Sequence, residues 1–162
     1  MGLSTTTPIT GSLDGAFPDG IDPRKPINVT DATLTLGTKH HGVVTTLNLA
    51  AGQAVTLPAS TGSGSHFRLY LGTTVTSDTT IKVANGDDVL VGQAVNAQDA
   101  ANTVIAFETA AASDTITLNG STTGGIKGDF IELIDVAANT WAVSVRGSAT
   151  GIEATPFSAT VA

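Results

Sequence analysis

The feature that most constrains this chain is a contrast between its two ends. Four of its six prolines, Pro8, Pro18, Pro23 and Pro26, fall in the first 26 residues; from Asp31 onward the sequence is a run of short segments rich in Thr, Val, Ala and Gly. Proline donates no ladder hydrogen bond, so the leader is excluded from a sheet centre. Each proline also pushes the residue before it into extended backbone, which makes the leader a poor helix. The chain therefore reads as an extended arm over residues 1–30 followed by a body over residues 31–162.

The body reads as all-β. Ala32 to Leu36 alternates with period 2, and Val43 to Leu49, Ala54 to Pro58 (stopped by the proline) and His66 to Leu71 follow, the last with Phe67, Leu69 and Leu71 on one face. Thr80 to Val83, Val89 to Val91, Thr103 to Glu108, Thr115 to Leu118, Asp129 to Val136 and Thr140 to Val145 complete the set. Eight to eleven short strands at this spacing indicate a compact β-sandwich or barrel. Residues 92–102 read as one helical turn or a loop. Asn85-Gly86-Asp87-Asp88 and Asn119-Gly120 read as hairpin turns. Ser77–Gly86 and Ser113–Gly120 echo each other as a Ser-Asp opener, a short strand and an Asn-Gly turn, and two such copies with unequal spacing do not make a solenoid.

Composition narrows the function. Aromatics are 4% of 162 residues, and the 41% apolar fraction is carried largely by Ala and Val, which predicts a core of small pieces that gains by burying surface against copies of itself. The formal net charge is −7, and of the seven basic residues only Arg24 and Lys25 are adjacent. Nucleic acid requires a basic stripe, and an anionic membrane repels such a chain, so neither is an expected partner. There is no cysteine, hence no disulfide, thiol nucleophile or zinc–thiolate site. No apolar stretch approaches a membrane span and no secretory pattern opens the chain, so cytoplasmic synthesis is expected. Met1 to Thr6 matches a myristoylation pattern only formally, and Asn28 and Asn119 head glycosylation sequons that mean nothing without secretion.

Chemistry is hard to find. His40 and His41 fall in the Gly37 to Gly42 loop with only His66 elsewhere, too few converging ligands for a metal. Asn85 to Asp88 lacks the ligand spacing of a calcium loop. Thr61-Gly62-Ser63-Gly64 is a glycine loop followed by a strand, where a nucleotide fingerprint needs a helix. Glu108, Glu132 and Glu153 with Asp135 are the carboxylates from which a glycosidase-like pair would be drawn, but so few aromatics argue against a sugar cleft. Trp141 and Tyr70 read as core or interface anchors. No enzyme, cofactor or metal is expected.

The leader carries large apolar residues set singly: Leu3, Ile9, Leu13, Phe17 and Ile21. Disordered tails seldom carry such anchors. An arm that orders against a partner accounts for them; a flexible tail, or an arm packed on its own body, is the plainer alternative.

The stretches Val55-Thr56-Leu57-Pro58, Gly62 to Phe67, Ile81 to Gly86, Gly124 to Leu133 and Trp141-Ala142-Val143 resemble a β-module of tailed-phage virion proteins, over roughly residues 43–150. That family comprises small head-decoration (cement) proteins and modules of trimeric fibres. The resemblance implies a homotrimer bound to the major capsid protein on the outside of a mature head, bridging capsomers, with residues 1–30 as the tie. The alternative it implies is a head- or tail-fibre module that contacts the host surface. A small hydrolase or lectin would need a polar cleft that the sequence does not offer.

Overall fold

A computed structural model describes residues 25–99 and 102–161. The five arm anchors, Leu3, Ile9, Leu13, Phe17 and Ile21, lie outside the described residues. The body is a sandwich of two mixed sheets. The larger has seven strands in the order β1-β3-β5-β10-β11-β7-β8, and the smaller has five in the order β12-β9-β6-β4-β2. The strands are β1 (Ile27–Val29), β2 (Thr33–Thr35), β3 (Val44–Leu47), β4 (Ala54–Thr56), β5 (His66–Leu71), β6 (Thr79–Lys82), β7 (Val89–Gln98), β8 (Val104–Glu108), β9 (Thr115–Leu118), β10 (Phe130–Ala137), β11 (Thr140–Ala149) and β12 (Phe157–Ser158). Among the described residues there is no α-helix, only a 3-10 turn at Thr38–His40. The all-β expectation is met.

The first six strands alternate between the sheets, and each lies parallel to the strand two before it. This half is a short winding of three rungs, a repeat distinct from the Ser77–Gly86 and Ser113–Gly120 echo and not anticipated from the sequence. In the larger sheet Ile27 sits beside Thr45 and Thr45 beside Leu69, rungs of 18 and then 24 residues. In the smaller sheet Thr33 sits beside Ala54 and Ala54 beside Thr80, rungs of 21 and 26. No constant period exists to be detected. The second half is mainly antiparallel, with a β10–β11 hairpin whose turn places Asn139 at φ 60°, a left-handed position that asparagine tolerates.

Four local expectations change. Ile27–Val29, expected at the end of the arm, is the edge strand of the larger sheet. The segment from Gly92 belongs to the ten-residue strand β7, held parallel to β11 along its whole length, so tertiary pairing overrides its weak strand propensity. The two Asn-Gly turns do not close hairpins. Each carries the chain from the smaller sheet (β6, β9) to the larger (β7, β10), and the two echoing strands pair with each other, Ile81 beside Ile116. Asn85 Oδ1 still accepts the N–H groups of Asp87 and Asp88, the local chemistry that makes such residues turn formers.

The core is not made of small pieces. Trp141, Phe67, Leu47, Leu57, Leu69, Leu71, Ile81, Leu90, Ile116, Leu118, Ile131 and Leu133 are fully buried, while few alanines are. The few large side chains are thus concentrated between the sheets. The rings of Phe67 and Trp141 lie 5.7 Å apart. Phe67, Leu69 and Leu71 do share the inward face of β5.

Candidate functional site

Strand pleating turns Asp135 into the sandwich and sets Glu132 and Glu108 on the outer face of the larger sheet, while the other acidic residues among those described lie in the loops. Four aspartates are buried: Asp88, Asp114, Asp129 and Asp135. Each ties a loop to the body.

Asp135, inward on β10, receives the loop between β4 and β5. The N–H groups of Thr61, Gly62 and Ser63 donate to it at 2.7–3.1 Å, and the hydroxyls of Ser60 and Ser63 lie at 2.8 and 2.7 Å. The glycine loop Thr61-Gly62-Ser63-Gly64 therefore cradles an anion, and the anion is the chain's own carboxylate. Burial by itself would raise the Asp135 pKa, but the Ser63 hydroxyl and N–H, the Ser60 hydroxyl and the Gly62 N–H outweigh it and hold the carboxyl far below the usual range. Ser60 is held from a second side, its N–H donating to Asp88 at 3.0 Å.

Asp114 pins the C-terminal segment by accepting from the N–H groups of Thr160 and Val161. Burial pushes its pKa up, but those donors, the Thr115 hydroxyl and the Lys82 charge bring it below the ordinary value. Asp129 accepts from the N–H groups of Gly125, Ile126 and Ser148; here burial dominates and the pKa is raised.

The histidines are dispersed by role. His40 is buried, and its Nδ1 accepts from the Gly37 N–H at 3.1 Å; burial and then the Lys39 charge lower its pKa. His41 Nδ1 accepts from the His66 backbone N–H at 3.0 Å, and His66 Nε2 lies 3.5 Å from Glu132. Among the described residues no group of three or more His, Asp or Glu is placed to hold a metal ion. No helix among them is long and apolar enough to cross a membrane.

The carboxylates do not form a glycosidase-like pair. On β10 Glu132 faces outward and Asp135 inward. Glu153 accepts from the Gln98 side chain at 2.8 Å, and Glu108 lies on edge strand β8.

What the structure does gather is apolar surface. Among the described residues the exposed large hydrophobics are Val91 (54%), Val104 (69%), Ile134 (38%), Val136 (52%) and Ile152 (90%). All but Ile152 are on strands β7, β8 and β10 of the larger sheet, pointing away from the core. Arg146 lies on the same face, 3.2 Å from Glu132 and 5.4 Å over the Phe130 ring. Tyr70 is beside Phe130 there, so it is a surface aromatic, while Trp141 is core. Sequence reasoning missed this face. Its signal lay in the outward register of the strands, where Ile134 and Val136 occupy positions that a sheet wetted on one side gives to polar residues.

No known protein family, curated protein or solved structure matches the chain.

Proposed function

We propose that this is a structural virion protein: a head-decoration (cement) protein that binds the major capsid protein on the outside of a mature tailed-phage head as a homotrimer and stabilises the shell by bridging capsomers. It is made in the host cytoplasm and acts without catalysis or cofactor. The observation that carries this reading is the outer face of the larger sheet, where four of the five exposed large hydrophobics among the described residues lie; exposed apolar surface of this kind marks protein interaction. Two further features support it. Buried carboxylates lock the loops to the body, giving the rigidity a clamp requires. The Pro-rich leader joins the body at β1, the rim of the sheet, from which an arm can reach a neighbouring surface. Many copies acting together on one shell make modest affinity per site sufficient.

The test is cosedimentation of the purified chain with decoration-free heads. Saturable binding in multiples of three copies per site is expected, and failure to pellet with heads at micromolar concentration overturns the proposal. The winding of β1 to β6 favours a second reading, a module of a trimeric head or tail fibre, because stacked rungs elongate by adding rungs. That reading predicts binding of the isolated chain to host cells and none to heads.

A further inference from the structure

Asn96 on β7 is fully buried, yet neither its Oδ1 nor its Nδ2 has a hydrogen-bond partner in the protein. Buried polar side chains in folded proteins are almost always partnered, so both ends of this amide stand out. Register shows what it faces. Asn96 is beside Gly147 on β11, and Asp129, one residue before the Phe130–Arg146 pair, reaches the same glycine from the β10 side. At the position a Cβ would take on Gly147, the Asp129 carboxyl carbon and Oδ2 lie at 2.8 Å and Asn96 Oδ1 at 3.0 Å. Gly147 is not at a positive φ, so what it supplies is the space a side chain would fill. The two side chains are turned toward each other across that space and make no direct hydrogen bond. Asn96 Oδ1 and Asp129 Oδ2 are thus at most about 6 Å apart, a span that one molecule making two hydrogen bonds of about 2.8 Å can bridge.

We propose that Asp129 and Asn96, on either side of Gly147, form a binding site for one internal water molecule that bridges the two side chains. Two acceptors, a carboxylate and Asn96 Oδ1, share this space, and they repel unless a donor stands between them. Water offers two O–H donors on one oxygen, one for each. Three observations select water over a cation. The Asp129 oxygens already accept the N–H groups of Gly125, Ile126 and Ser148, which occupy lone pairs that a cation would need. Hard cations such as calcium take six or more oxygen ligands, and among the described residues no third acidic or histidine side chain converges here. A solvent-open groove of about 380 Å³ is lined by Asp129, Gly147 and Ser148, so water has a path to the site. The bridge ties β7, which carries the edge strand β8, to the loop that Asp129 closes through Gly125 and Ile126. It also accounts for glycine at position 147, where a Cβ would press on the Asp129 carboxyl group.

A high-resolution crystal structure of the full chain, combined with an NMR titration of the Asp129 carboxyl group, tests this. The expected result is density for a single oxygen within about 3.2 Å of both Asn96 and an Asp129 oxygen. Asn96→Leu, close to asparagine in shape, should remove that density. It should also move the Asp129 titration to higher pH, because the carboxylate loses a donor. A titration of Asp129 that does not move in Asn96→Leu would show that Asn96 only fills space, and would overturn the inference. So would a direct Asn96–Asp129 hydrogen bond with no density between them. Density surrounded by six or more oxygens at about 2.3–2.6 Å would assign a calcium ion instead, and the water site would be wrong.

Discussion

Replacing Asp135 by asparagine removes one charge and adds no volume, so it isolates what the carboxylate does. Both oxygens of Asp135 are committed: Ser60 Oγ and Gly62 N lie at 2.8 and 2.7 Å from Oδ1, and Ser63 N and Ser63 Oγ at 2.9 and 2.7 Å from Oδ2. An asparagine keeps one acceptor and turns an NH₂ group against donors on the other side. Whichever way the amide faces, two charge-assisted bonds are lost and their donors are left facing an NH₂ group. At about 1.5–3 kcal/mol for each hydrogen bond to a charged group, Asp135→Asn should cost about 3–5 kcal/mol, a large share of the ~5–15 kcal/mol that holds a typical domain folded. Urea unfolding at pH 7 measures it. The pH dependence provides a check on the cause. The folded pKa of Asp135 is depressed, so its stabilisation is complete above the unfolded value of about 3.9 and declines as pH falls below it toward the folded pKa. The difference between the parent chain and the variant should therefore shrink below about pH 3.9. Glu132→Gln, which loses a partly exposed ion pair with Arg146, should change stability by less than about 1 kcal/mol. A cost for Asp135→Asn below about 1 kcal/mol, or one that does not change on acidification, would refute the assignment of Asp135 as the anion that organises residues 60–63.

Other outcomes follow from single positions. The folded pKa of His40 is lowered, so the stability held by its neutral form is present above about pH 6.5 and lost as pH falls through that value; a His40→Gln variant should lose this limb of the unfolding curve, and an unchanged limb counts against it. Gly92 has φ 154°, and a Cβ there would lie 1.9 Å from the Val143 carbonyl oxygen. Gly92→Ala should therefore cost about 3 kcal/mol or more, measured by thermal unfolding; a cost under 1 kcal/mol would show that β7 and β11 can separate freely. Deleting residues 1–24, which stops short of β1, should leave the melting temperature within a few degrees, since the deletion touches no described core residue. The same deletion should weaken attachment to heads by at least tenfold in cosedimentation, as expected if Ile9, Leu13, Phe17 and Ile21 each bury roughly 1.5–3 kcal/mol of side chain; equal binding would make the arm a passive tail.

Strand identity was legible because the pattern is local. The His66–Leu71 strand was bounded correctly from its alternation alone, and the Phe67, Leu69, Leu71 face points inward as expected. The winding was not legible, because rungs of unequal length leave no period and parallel partners are set by contacts far apart in sequence. Ile27–Val29 was hidden beside Pro26, and β7 by a run of small and amide residues whose strand form depends on β11. The Asn-Gly turns revealed where the chain bends, but not that each bend crosses between sheets. The anion-cradling loop was half visible. Ser60 to Ser63 reads as a run of donors, but its acceptor is 72 or more residues away on β10, and nothing local announces the pairing. The outer face needed the register of four strands before its apolar residues became neighbours.

The central claim is the proposal that this chain decorates a capsid, and a cryo-EM map of mature tailed-phage heads assembled with the chain present tests it most directly. The account predicts density for the all-β body as trimers on the exterior of the mature head, lying over seams between capsomers, with residues 1–24 extended along the shell. Density for the chain in a fibre, or mature heads with no density for it at all, would contradict the account.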